Sequence, residues 1–466
     1  MSFIIKEYNS LKRRISTFLL AAAARYNLPR LAAFIIVRNV YELQNSRCQN
    51  EREINILFFP KTGFNEDIMA SFGGIKGYGL YAIERIFSKT VFIKFIPGGV
   101  DTNNYLSKDP FIEGKKEELR FFWVQILNIL KNSLRIDVVM TGNFSYAEEQ
   151  EFFTASEKVN IPVVAVHKEC LKTPILEDFF KKVYMDRKNP FPGSKICVYN
   201  EVEKRIQSES GIFEAQNIIV TGMPRMDYIH KQRQKKVEDI DVLVKKKPSV
   251  VFFSFNEKTG FPILGRKTKV EKKRKLIHER LDDHLEKLNV RRLMQSCHLK
   301  MVDVANENPE IDVVIKTKGD SRTFSNLEGI FGRGFMPPQN LTFVHGGDPF
   351  DLIMNSSVVC SFNSTALLEA IAMNRPVVFP RFYEAMEDAV RPYIIDLRDA
   401  VEYADSPEDL VKKLLKYCTE SSHIVKMSYL NQIQVDVLNR FTGNTDGKSG
   451  SRVRDVIDMV VNERRN

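Results

Sequence analysis

A cluster of polar residues directly follows the apolar run Val358–Cys360. Its members are Ser361, Asn363, Ser364, Thr365 and Glu369. Either Ser364 or Thr365 stands where the N-cap of a helix is expected, and the first turn of a helix binds phosphate through free N–H groups and a positive dipole. Glu369 lies one turn further on, where its carboxylate can accept hydrogen bonds from a ribose. The cluster therefore predicts a nucleotide site, with plain capping of a structural helix as the alternative.

A second cluster ends another apolar run, residues 161–166. His167 and Glu169 follow that run and share one side of the strand, because side chains alternate with a period of two. A neutral imidazole or a carboxylate there can take a proton from an attacking hydroxyl group. Imidazole titrates near neutral pH, whereas a carboxyl group needs burial to do so. We predict an acid–base role for this pair and leave open which member acts; the alternative is that His167 only hydrogen-bonds its loop.

Alternating strand-like and helix-like patterns must position these clusters. Strand-like runs cover residues 54–59, 91–96, 136–140, 161–166, 195–199 and 218–220, and then 249–254, 311–317, 341–344, 358–361 and 376–379. Helix-like patterns lie between them, for example at residues 80–87, 118–132 and 146–159. Short apolar runs separated by helices are typical of a parallel sheet covered on both faces, and ligands bind such sheets beyond the carboxyl ends of the strands.

The predicted fold class is α/β, with two facing Rossmann-like domains, an N-terminal helical extension and C-terminal helices. The predicted domains are a basic helical segment over residues 1–50, a first domain over 51–240, a second domain over 241–425, and C-terminal helices near the interdomain cleft over 426–466. The polar stretch from His230 to Lys247 marks the predicted connection between the two domains.

The composition is that of an ordinary globular protein with a basic excess. The 466 residues include 69 Lys and Arg against 59 Asp and Glu, a net charge of +10. This length suits two to three domains. The six cysteines form no CxxC pair and no zinc-binding spacing, so we expect a reduced, cytoplasmic protein without disulfides. No Asp-x-Asp follows a predicted strand, which predicts chemistry without a metal ion or another cofactor.

Positive charge and apolar residues combine near the N-terminus. One helical face there is apolar and lies beside Lys6, Lys12, Arg13 and Arg14. The face consists of Ile4, Tyr8, Leu11, Ile15 and Phe18. We expect this face to pack on the protein's own core, while the basic side leaves an anionic membrane surface open as a partner. Neither apolar run, residues 15–24 or 31–37, is long enough to span a bilayer.

A second basic segment covers Arg266–Arg280. Charge runs are usually solvated surface, and that is the favoured interpretation here; an anionic lipid or an anionic acceptor is the alternative. Nucleic acid is not predicted as a partner, because the run lacks interleaved aromatic residues and the chain displays no known binding module.

Four segments resemble motifs of glycosyltransferases with the GT-B fold. The run from Ser364-Thr365 through Glu369 to Asn374-Arg375-Pro376-Val377 is similar to their donor-binding motif. The other three are Ile218–Asp227, which contains V-T-G-x-P-R-x-D, Val314–Lys318, and Asp446-Gly447 with Arg452. The bacterial surface-carbohydrate biosynthesis proteins and the CDP-glycerol glycerophosphotransferases are the relatives that these motifs resemble most.

The resemblance implies roles for further residues. The glycerophosphotransferases carry a catalytic histidine in a K-x-H-P segment, where this chain has Lys318. We therefore predict that Lys316 and Lys318 neutralise the leaving phosphate. Gly222, Arg225 and Asp227 are predicted to orient the hinge or to contact a phosphate, with an Arg225–Asp227 structural pair as the alternative. Weaker candidates for the acceptor side lie in a Gly-rich loop. They are Gly73, Gly74 and Lys76.

The implied activity is metal-independent transfer of a sugar from a nucleotide-activated donor to a cell-surface glycan, such as capsule or O-antigen, or to a lipid-linked acceptor. The alternatives are a polyol-phosphate transferase using a nucleotide-polyol donor, a nucleotide-sugar epimerase and a non-catalytic glycan-binding protein. An epimerase would need additional carboxylates and histidines in a pattern that the sequence does not display. The expected location is the cytoplasm, with peripheral attachment to the inner face of the plasma membrane left open.

Overall fold

The computed structural model describes residues 2–44, 54–100, 105, 109–187, 190–235, 247–262, 287–317, 327–419 and 429–465. The chain forms two compact units. The first comprises Met1–Cys170, Phe179–Arg225 and Lys448–Asn466, and the second comprises Leu171–Asp178 and Met226–Gly447. The predicted domain boundaries near residues 50, 240 and 425 fall in segments outside the described residues, so those boundaries stay predictions.

The described strands divide between one sheet in each unit. In the first unit they are β1 Tyr41–Gln44, β2 Ile54–Phe58, β3 Tyr78–Ala82, β4 Val138–Thr141, β5 Val163–His167, β6 Lys195–Val198 and β7 Ile218–Val220. In the second unit they are β8 Ser249–Phe253, β9 Asp312–Thr317, β10 Leu341–His345, β11 Val358–Cys360, β12 Val377–Pro380 and β13 Glu402–Ala404.

The described helices cover these strands. They are α1 Ser2–Arg25, α2 Pro29–Asn39, α3 Phe64–Phe72, α4 Arg85–Phe95, α5 Pro110–Leu134, α6 Ala147–Lys158, α7 Pro174–Arg187, α8 Glu201–Glu209, α9 Met226–Lys235, α10 Arg291–Glu307, α11 Phe350–Asn355, α12 Thr365–Ala372, α13 Pro407–Thr419, α14 Gln432–Phe441 and α15 Ser449–Arg465. None of the described helices is long and apolar enough to cross a bilayer.

The sheet of the first unit has the strand order β1-β3-β2-β4-β5-β6-β7. All neighbouring strands are parallel except the edge pair β1 and β3. After β2 the chain adds β3 on one side and the later strands on the other. The order therefore reverses between β2 and β4, and the connections that leave these two strands diverge and open a crevice at their carboxyl ends.

The sheet of the second unit has the order β10-β9-β8-β11-β12-β13, and every pair in it is parallel. Numbered within the unit, this is the order 3-2-1-4-5-6 of the Rossmann fold, which reverses between β8 and β11. The predicted fold class of two Rossmann-like, parallel-sheet α/β domains is thereby confirmed at the level of each unit.

One face of the sheet of the first unit packs against α3 and α15. Ile56 and Phe58 of β2 are buried together with Phe72 of α3. Val453 and Val460 of α15 belong to the same cluster. The last helix of the chain is thus part of the core of the first unit.

Two predictions for neighbouring segments were wrong: the predicted strand is a helix, and the start of the predicted helix is a strand. Residues 91–96 were expected to form a strand, yet residues 91–95 belong to α4, and residues 80–82 belong to β3 rather than to a helix. The buried residues of α4 are Phe87, Ser88, Val91 and Phe92, with a helical spacing. The β-branched and aromatic residues at 91–96 give a local strand-like run that hides this longer period.

The N-terminal helix buries a different face from the predicted one. Leu20, Ala23 and Ala24 of α1 are buried, whereas Leu11, Ile15 and Phe18 are exposed. The second half of α1 is apolar on both sides, and the alanine-rich side allows closer packing because small side chains bring helices together. The expectation that the face with Leu11, Ile15 and Phe18 covers the core was therefore wrong.

Replacing Gly142 by alanine should destabilise the first unit. A Cβ at this position would lie 2.8 Å from Cβ and Cγ of the buried Phe64. Overpacking of this kind costs about 1–3 kcal/mol. Gly114 of α5 is the matched control, since nothing lies within 4 Å of its added Cβ. Gly114→Ala should raise stability by about 0.5–1 kcal/mol. Urea unfolding followed by circular dichroism measures both, and a Gly142→Ala chain as stable as the wild type would contradict the close approach.

Candidate functional sites

The crevice of the second unit lies between the ends of β8 and β11. The hydroxyl group of Ser361 donates a 2.8 Å hydrogen bond to the carbonyl oxygen of Phe253, which ties the two strand ends together. Asn363 follows with a φ of +47°, a left-handed conformation that Asn tolerates. Its amide donates to the Tyr393 carbonyl at 2.9 Å and accepts from the Ile395 N–H at 2.9 Å. Ser361 and Asn363 therefore shape the crevice rather than project freely into it.

A glycine allows the loop after β8 to approach Asn363. Gly260 has a φ of +94°, and a Cβ on it would lie 2.2 Å from Nδ2 of Asn363. A larger residue would displace either this loop or the Asn363 side chain. Gly260 was not singled out by the sequence, because the contact joins residues about a hundred positions apart.

The helix that leaves β11 begins as predicted. Ser364 is the N-cap of α12, and its Oγ accepts a 3.3 Å hydrogen bond from the N–H of Ala366. Thr365 is exposed and Glu369 is half-buried, one turn further along. This arrangement leaves Thr365 and the first turn of α12 available to a ligand at the strand ends.

The ammonium group of Lys316 is hydrogen-bonded to backbone carbonyl groups. Its side chain is buried, and Nζ donates to the carbonyl oxygens of Gly346 and, at 3.5 Å, Thr317. Burial lowers the pKa of Lys316, and the carboxylate of Asp348 acts in the opposite direction. The predicted contact of Lys316 with a leaving phosphate stays a prediction, and Lys318 lies outside the described residues.

His345 ends β10 next to Thr317 and was missed. Its Nδ1 lies 2.6 Å from Oγ1 of Thr317, and its side chain is exposed. The next residues, Gly346 and Gly347, have φ values of +64° and +76°. The rule that singled out His167, a titratable residue at the end of an apolar run, applies equally to this histidine.

His167 and Glu169 lie in different environments, one buried and one exposed. His167 is only 1% exposed and packs against the Phe144 ring, with 4.9 Å between ring centroids. Its Nε2 lies 3.2 Å from Oε1 of the buried Glu203 but without hydrogen-bond geometry. The Glu169 side chain is 53% exposed and pairs with Lys168 at 2.8 Å. A ligand can reach Glu169, whereas His167 is enclosed.

The electrostatics of Glu169 oppose a role as a strong base. Partial burial raises the pKa of its carboxyl group, but the ammonium of Lys168 more than offsets this, so that the pKa lies below its ordinary value. Glu169 is therefore ionised at neutral pH and able to accept a proton only weakly unless a ligand displaces Lys168.

The crevice of the first unit holds a group of ionisable side chains that the sequence did not reveal. Lys61 follows β2, and its Nζ lies 3.9 Å from the centroid of the Tyr146 ring. The Arg85 guanidinium lies 4.1 Å from the same ring and donates a 2.8 Å hydrogen bond to Glu149. Glu149 also accepts from the Thr141 hydroxyl at 2.9 Å. We call Lys61, Arg85, Tyr146 and Glu149 the crevice cluster.

Two members of the crevice cluster titrate near neutral pH. Burial raises the pKa of Glu149 to about 7, although the charge of Arg85 acts in the opposite direction. Burial, together with the charges of Arg85 and Lys168, lowers the pKa of Lys61 to about 8. Lys61 forms no ion pair with any of the described residues. Perturbed groups of this kind in a cleft are typical of sites that bind anions or move protons.

Arg225 and Asp227 each contact a distant part of the chain. The Arg225 guanidinium pairs instead with Asp67 at 3.2 Å and donates to the hydroxyl of Tyr199 at 3.1 Å. Asp227 accepts a 2.7 Å hydrogen bond from the amide of Asn444. The alternative of an Arg225–Asp227 structural pair stays a prediction.

The remaining motif residues shape the backbone. Gly222 has a φ of +80° in the turn after β7. The N–H of Gly447 donates to Asn444 at 3.0 Å, and the Asn444 carbonyl accepts from His230 at 2.9 Å. Within the second unit, these contacts fix the loop before α15 to α9. The predicted role of Gly222, Arg225 and Asp227 at a hinge or a phosphate stays a prediction.

The Gly-rich loop lies at the other edge of the first sheet. Gly73 and Gly74 follow α3, and the N–H of Gly74 donates to Gln44 at 2.8 Å. Lys76 is exposed just before β3 begins. A loop that enters a parallel strand lies at its amino end, so the structure does not bring these three residues to the carboxyl edge with the crevice cluster.

The other predicted features concern metals, cysteines and the second basic segment. Within the described part of the chain, no group of three or more His, Cys, Asp or Glu side chains is placed to hold a metal ion. The described cysteines are free and buried. All residues of Arg266–Arg280 fall in the segment 263–286, which lies outside the described residues.

Comparison with known proteins gives distant structural similarities. No protein-family model and no curated protein matches the chain. The chain is similar to the UDP-GlcNAc 2-epimerase of Neisseria meningitidis, with 13% identity over 87% of this chain and 99% of that one and a TM-score of 0.45. A putative UDP-N-acetylglucosamine 2-epimerase of Listeria monocytogenes has 13% identity over 88% and 97% of the two chains, with a TM-score of 0.47.

A UDP-forming α,α-trehalose-phosphate synthase of Burkholderia xenovorans has 9% identity over 89% of this chain and 100% of that one, with a TM-score of 0.44. At these scores the similarities carry no argument about activity, and the two Rossmann-like units rest on their strand orders. The resemblance to the CDP-glycerol glycerophosphotransferases gains no support from these matches.

Glu149→Gln should change how stability depends on pH. The carboxyl group titrates near pH 7 in the folded chain and near its ordinary value of 4.5 in the unfolded chain. The folded state therefore holds the proton more tightly, and this stabilisation is lost as the pH rises through about 7. Between about pH 4 and pH 8, the stability of the wild type relative to Glu149→Gln should fall by on the order of 3 kcal/mol. Urea unfolding at several pH values in this range measures the difference, and Glu118→Gln, at an exposed carboxylate, is the control. If the free energy of unfolding depends on pH in the same way in the wild type and both variants, the raised pKa of Glu149 is excluded.

Proposed function

We propose that the chain is a GT-B-type transferase that moves a sugar from a nucleotide-activated donor to a cell-surface glycan without a metal ion. The observation that carries the proposal is the reversal of strand order between β8 and β11 with α12 capped directly beside it. In doubly wound sheets, a nucleotide binds at this point with its phosphates on the first turn of the helix.

The proposed donor site uses the start of α12. The phosphates would lie against the N–H groups of its first turn and the hydroxyl of Thr365, and the ribose would reach Glu369. Ser361, Asn363 and Gly260 hold the loops that form the walls. His345 is a further candidate for contact with the phosphates, because it ends β10 at the same edge of this sheet. Lys318 stays a candidate from the sequence.

The proposed acid–base groups lie in the first unit. In the transfer step, a base takes the proton of an acceptor hydroxyl, and the hydroxyl oxygen bonds to the anomeric carbon. The bond from that carbon to the phosphate oxygen breaks, and the nucleotide leaves as an anion. Glu169 is the proposed base, since its side chain is exposed, and Lys61 is a proposed anion-binding group. His167 is proposed to support the β5 end from its enclosed position.

A nucleotide-sugar epimerase is the second candidate. An epimerase removes a proton from a sugar carbon and returns one to the other face, so it needs several groups that titrate near neutral pH. The sequence suggested that such groups were missing. The crevice cluster supplies two such groups, Glu149 and Lys61, and favours this alternative over polyol-phosphate transfer.

The donor site predicts selective loss of nucleotide binding. A thermal-shift screen of nucleoside mono- and diphosphates finds the ligand first, because a ligand at about 100 times its dissociation constant stabilises by about 2.7 kcal/mol. Glu369→Ala should then weaken binding about tenfold, the loss expected for charge-assisted hydrogen bonds. Glu408→Ala, an exposed carboxylate of α13, is the control. Calorimetry that gives the same dissociation constant for Glu369→Ala and the wild type would reject this site.

The acid–base assignment predicts slower turnover with intact donor binding. Glu169→Gln should lower turnover by about 100- to 10,000-fold. Glu118→Gln and Lys115→Ala remove an exposed pair from α5 in the same unit and should leave turnover unchanged. Product analysis separates the two candidate functions. Nucleotide released only when an acceptor is present supports transfer, and an isomerised donor formed without acceptor supports the epimerase.

A further inference from the structure

The first helix exposes an apolar face that the fold leaves uncovered. Leu20, Ala23 and Ala24 pack inwards, while Phe18 on the other side is 74% exposed. Leu11, Ile15 and Leu19 share the exposed side with Phe18, at spacings of one helical turn. A helix that is apolar on both sides is normally buried on both sides. In α1 the outward side is apolar and faces solvent.

The exposed apolar area continues into the neighbouring elements. The turn after α1 exposes Tyr26 and Leu28, and α2 exposes Leu31 and Phe34. Ile86 of α4 is also exposed and lines a shallow hollow together with Phe18. We call this area the α1–α2 surface. Its described members are Leu11, Ile15, Phe18, Leu19, Tyr26, Leu28, Leu31, Phe34 and Ile86.

Positive charge surrounds the α1–α2 surface, and little negative charge offsets it. Residues 11–40 contain no Asp or Glu. Their cations are Lys12, Arg13, Arg14, Arg25, Arg30 and Arg38. Among the described residues, the ion pair that these cations make is Arg13 with Glu84 of the first unit, at 3.6 Å.

Two arginines lie beside exposed aromatic rings of the surface. The Arg38 guanidinium is 5.1 Å from the centroid of the Phe34 ring, and the Arg25 guanidinium is 6.0 Å from that of Tyr26. Side chains of this kind can place the aromatic ring in an apolar layer and the guanidinium in the adjacent polar layer. Phe, Leu and Tyr on one side with Lys and Arg around them are typical of helices that lie in a membrane interface.

We propose that the α1–α2 surface docks on an anionic lipid bilayer. Phe18, Phe34 and the aliphatic residues around them enter the boundary between headgroups and acyl chains. Arg14, Arg25 and Arg30 contact the lipid phosphates. The axis of α1 lies along the membrane plane, because its inward side remains packed on the first unit.

A bilayer explains this surface better than a second copy of the chain does. A two-fold dimer through the surface would place the same patch on both partners, and hence the six cations of one copy against those of the other. Like charges brought together in an interface are strongly unfavourable. Anionic headgroups instead supply the negative charge that residues 11–40 lack.

Vesicle sedimentation of the full chain tests the proposal without donor or acceptor, so that its outcome is independent of the proposed function. The vesicles are phosphatidylcholine, either pure or with about one third phosphatidylglycerol. The apolar variant is Phe18→Ser with Phe34→Ser, and the charge variant is Arg25→Gln with Arg30→Gln. The matched controls are Met336→Ser with Tyr429→Ser, at side chains 85% and 86% exposed in the second unit, and Arg333→Gln with Lys412→Gln.

The wild type and both controls should bind the anionic vesicles alike. The apolar variant should bind at least about tenfold more weakly. The charge variant should lose about fivefold for each cation removed. In about 1 M salt, where the Debye length is about 3 Å, binding of the wild type should fall towards its level on neutral vesicles.

Three results would overturn the proposal. The first is a wild type that does not sediment with anionic vesicles. The second is equal binding by the apolar variant and its control. The third is a wild type that self-associates in light scattering, fails to bind vesicles and becomes monomeric in the apolar variant, because the surface would then be a dimer interface. Unchanged melting temperatures of the variants establish that the substitutions act on the surface and not on the fold.

Discussion

The reversal of strand order in each sheet is the constraint on which the candidate sites depend. Parallel strands bring all their carboxyl ends to one edge, but the connecting chains cover that edge except where two neighbouring strands send their connections in opposite directions. In the first unit, this point lies between β2 and β4, where Lys61 and Glu149 meet. In the second unit, it lies between β8 and β11, where Gly260 approaches Asn363.

Buried backbone groups near these points limit which side chains are available for chemistry. Ser361 and Asn363 look like ligand contacts in the sequence, yet each has its hydrogen-bonding groups engaged with the main chain. Lys316 donates to carbonyl oxygens in the same way. A polar residue at the end of a buried strand must first satisfy the backbone around it. Thr365 and His345, by contrast, have exposed side chains.

The sequence predicted the elements better than it predicted the site. Most strands of both sheets and the N-cap at Ser364 follow from local patterns, because burial and capping act on neighbouring residues. The crevice cluster could not be predicted in this way. Lys61 and Glu149 come together only when β4 pairs with β2, and the strand order is a property of the whole sheet. His345 could have been predicted from the sequence, because it is a titratable residue at the end of an apolar run, as His167 is.

The position of α15 in the first unit affects how the chain is made. In the sequence, most of the second unit comes after the strands of the first unit and before residues 449–465. These last residues complete the cluster around Ile56 and Phe58. During synthesis at about 5–20 residues per second, the part of this cluster that α15 covers therefore stays exposed for roughly ten seconds or more after the last strand of the first sheet has emerged. Over that interval the unit is an unfinished fold, and transiently exposed apolar surface of this kind makes a chain prone to aggregation.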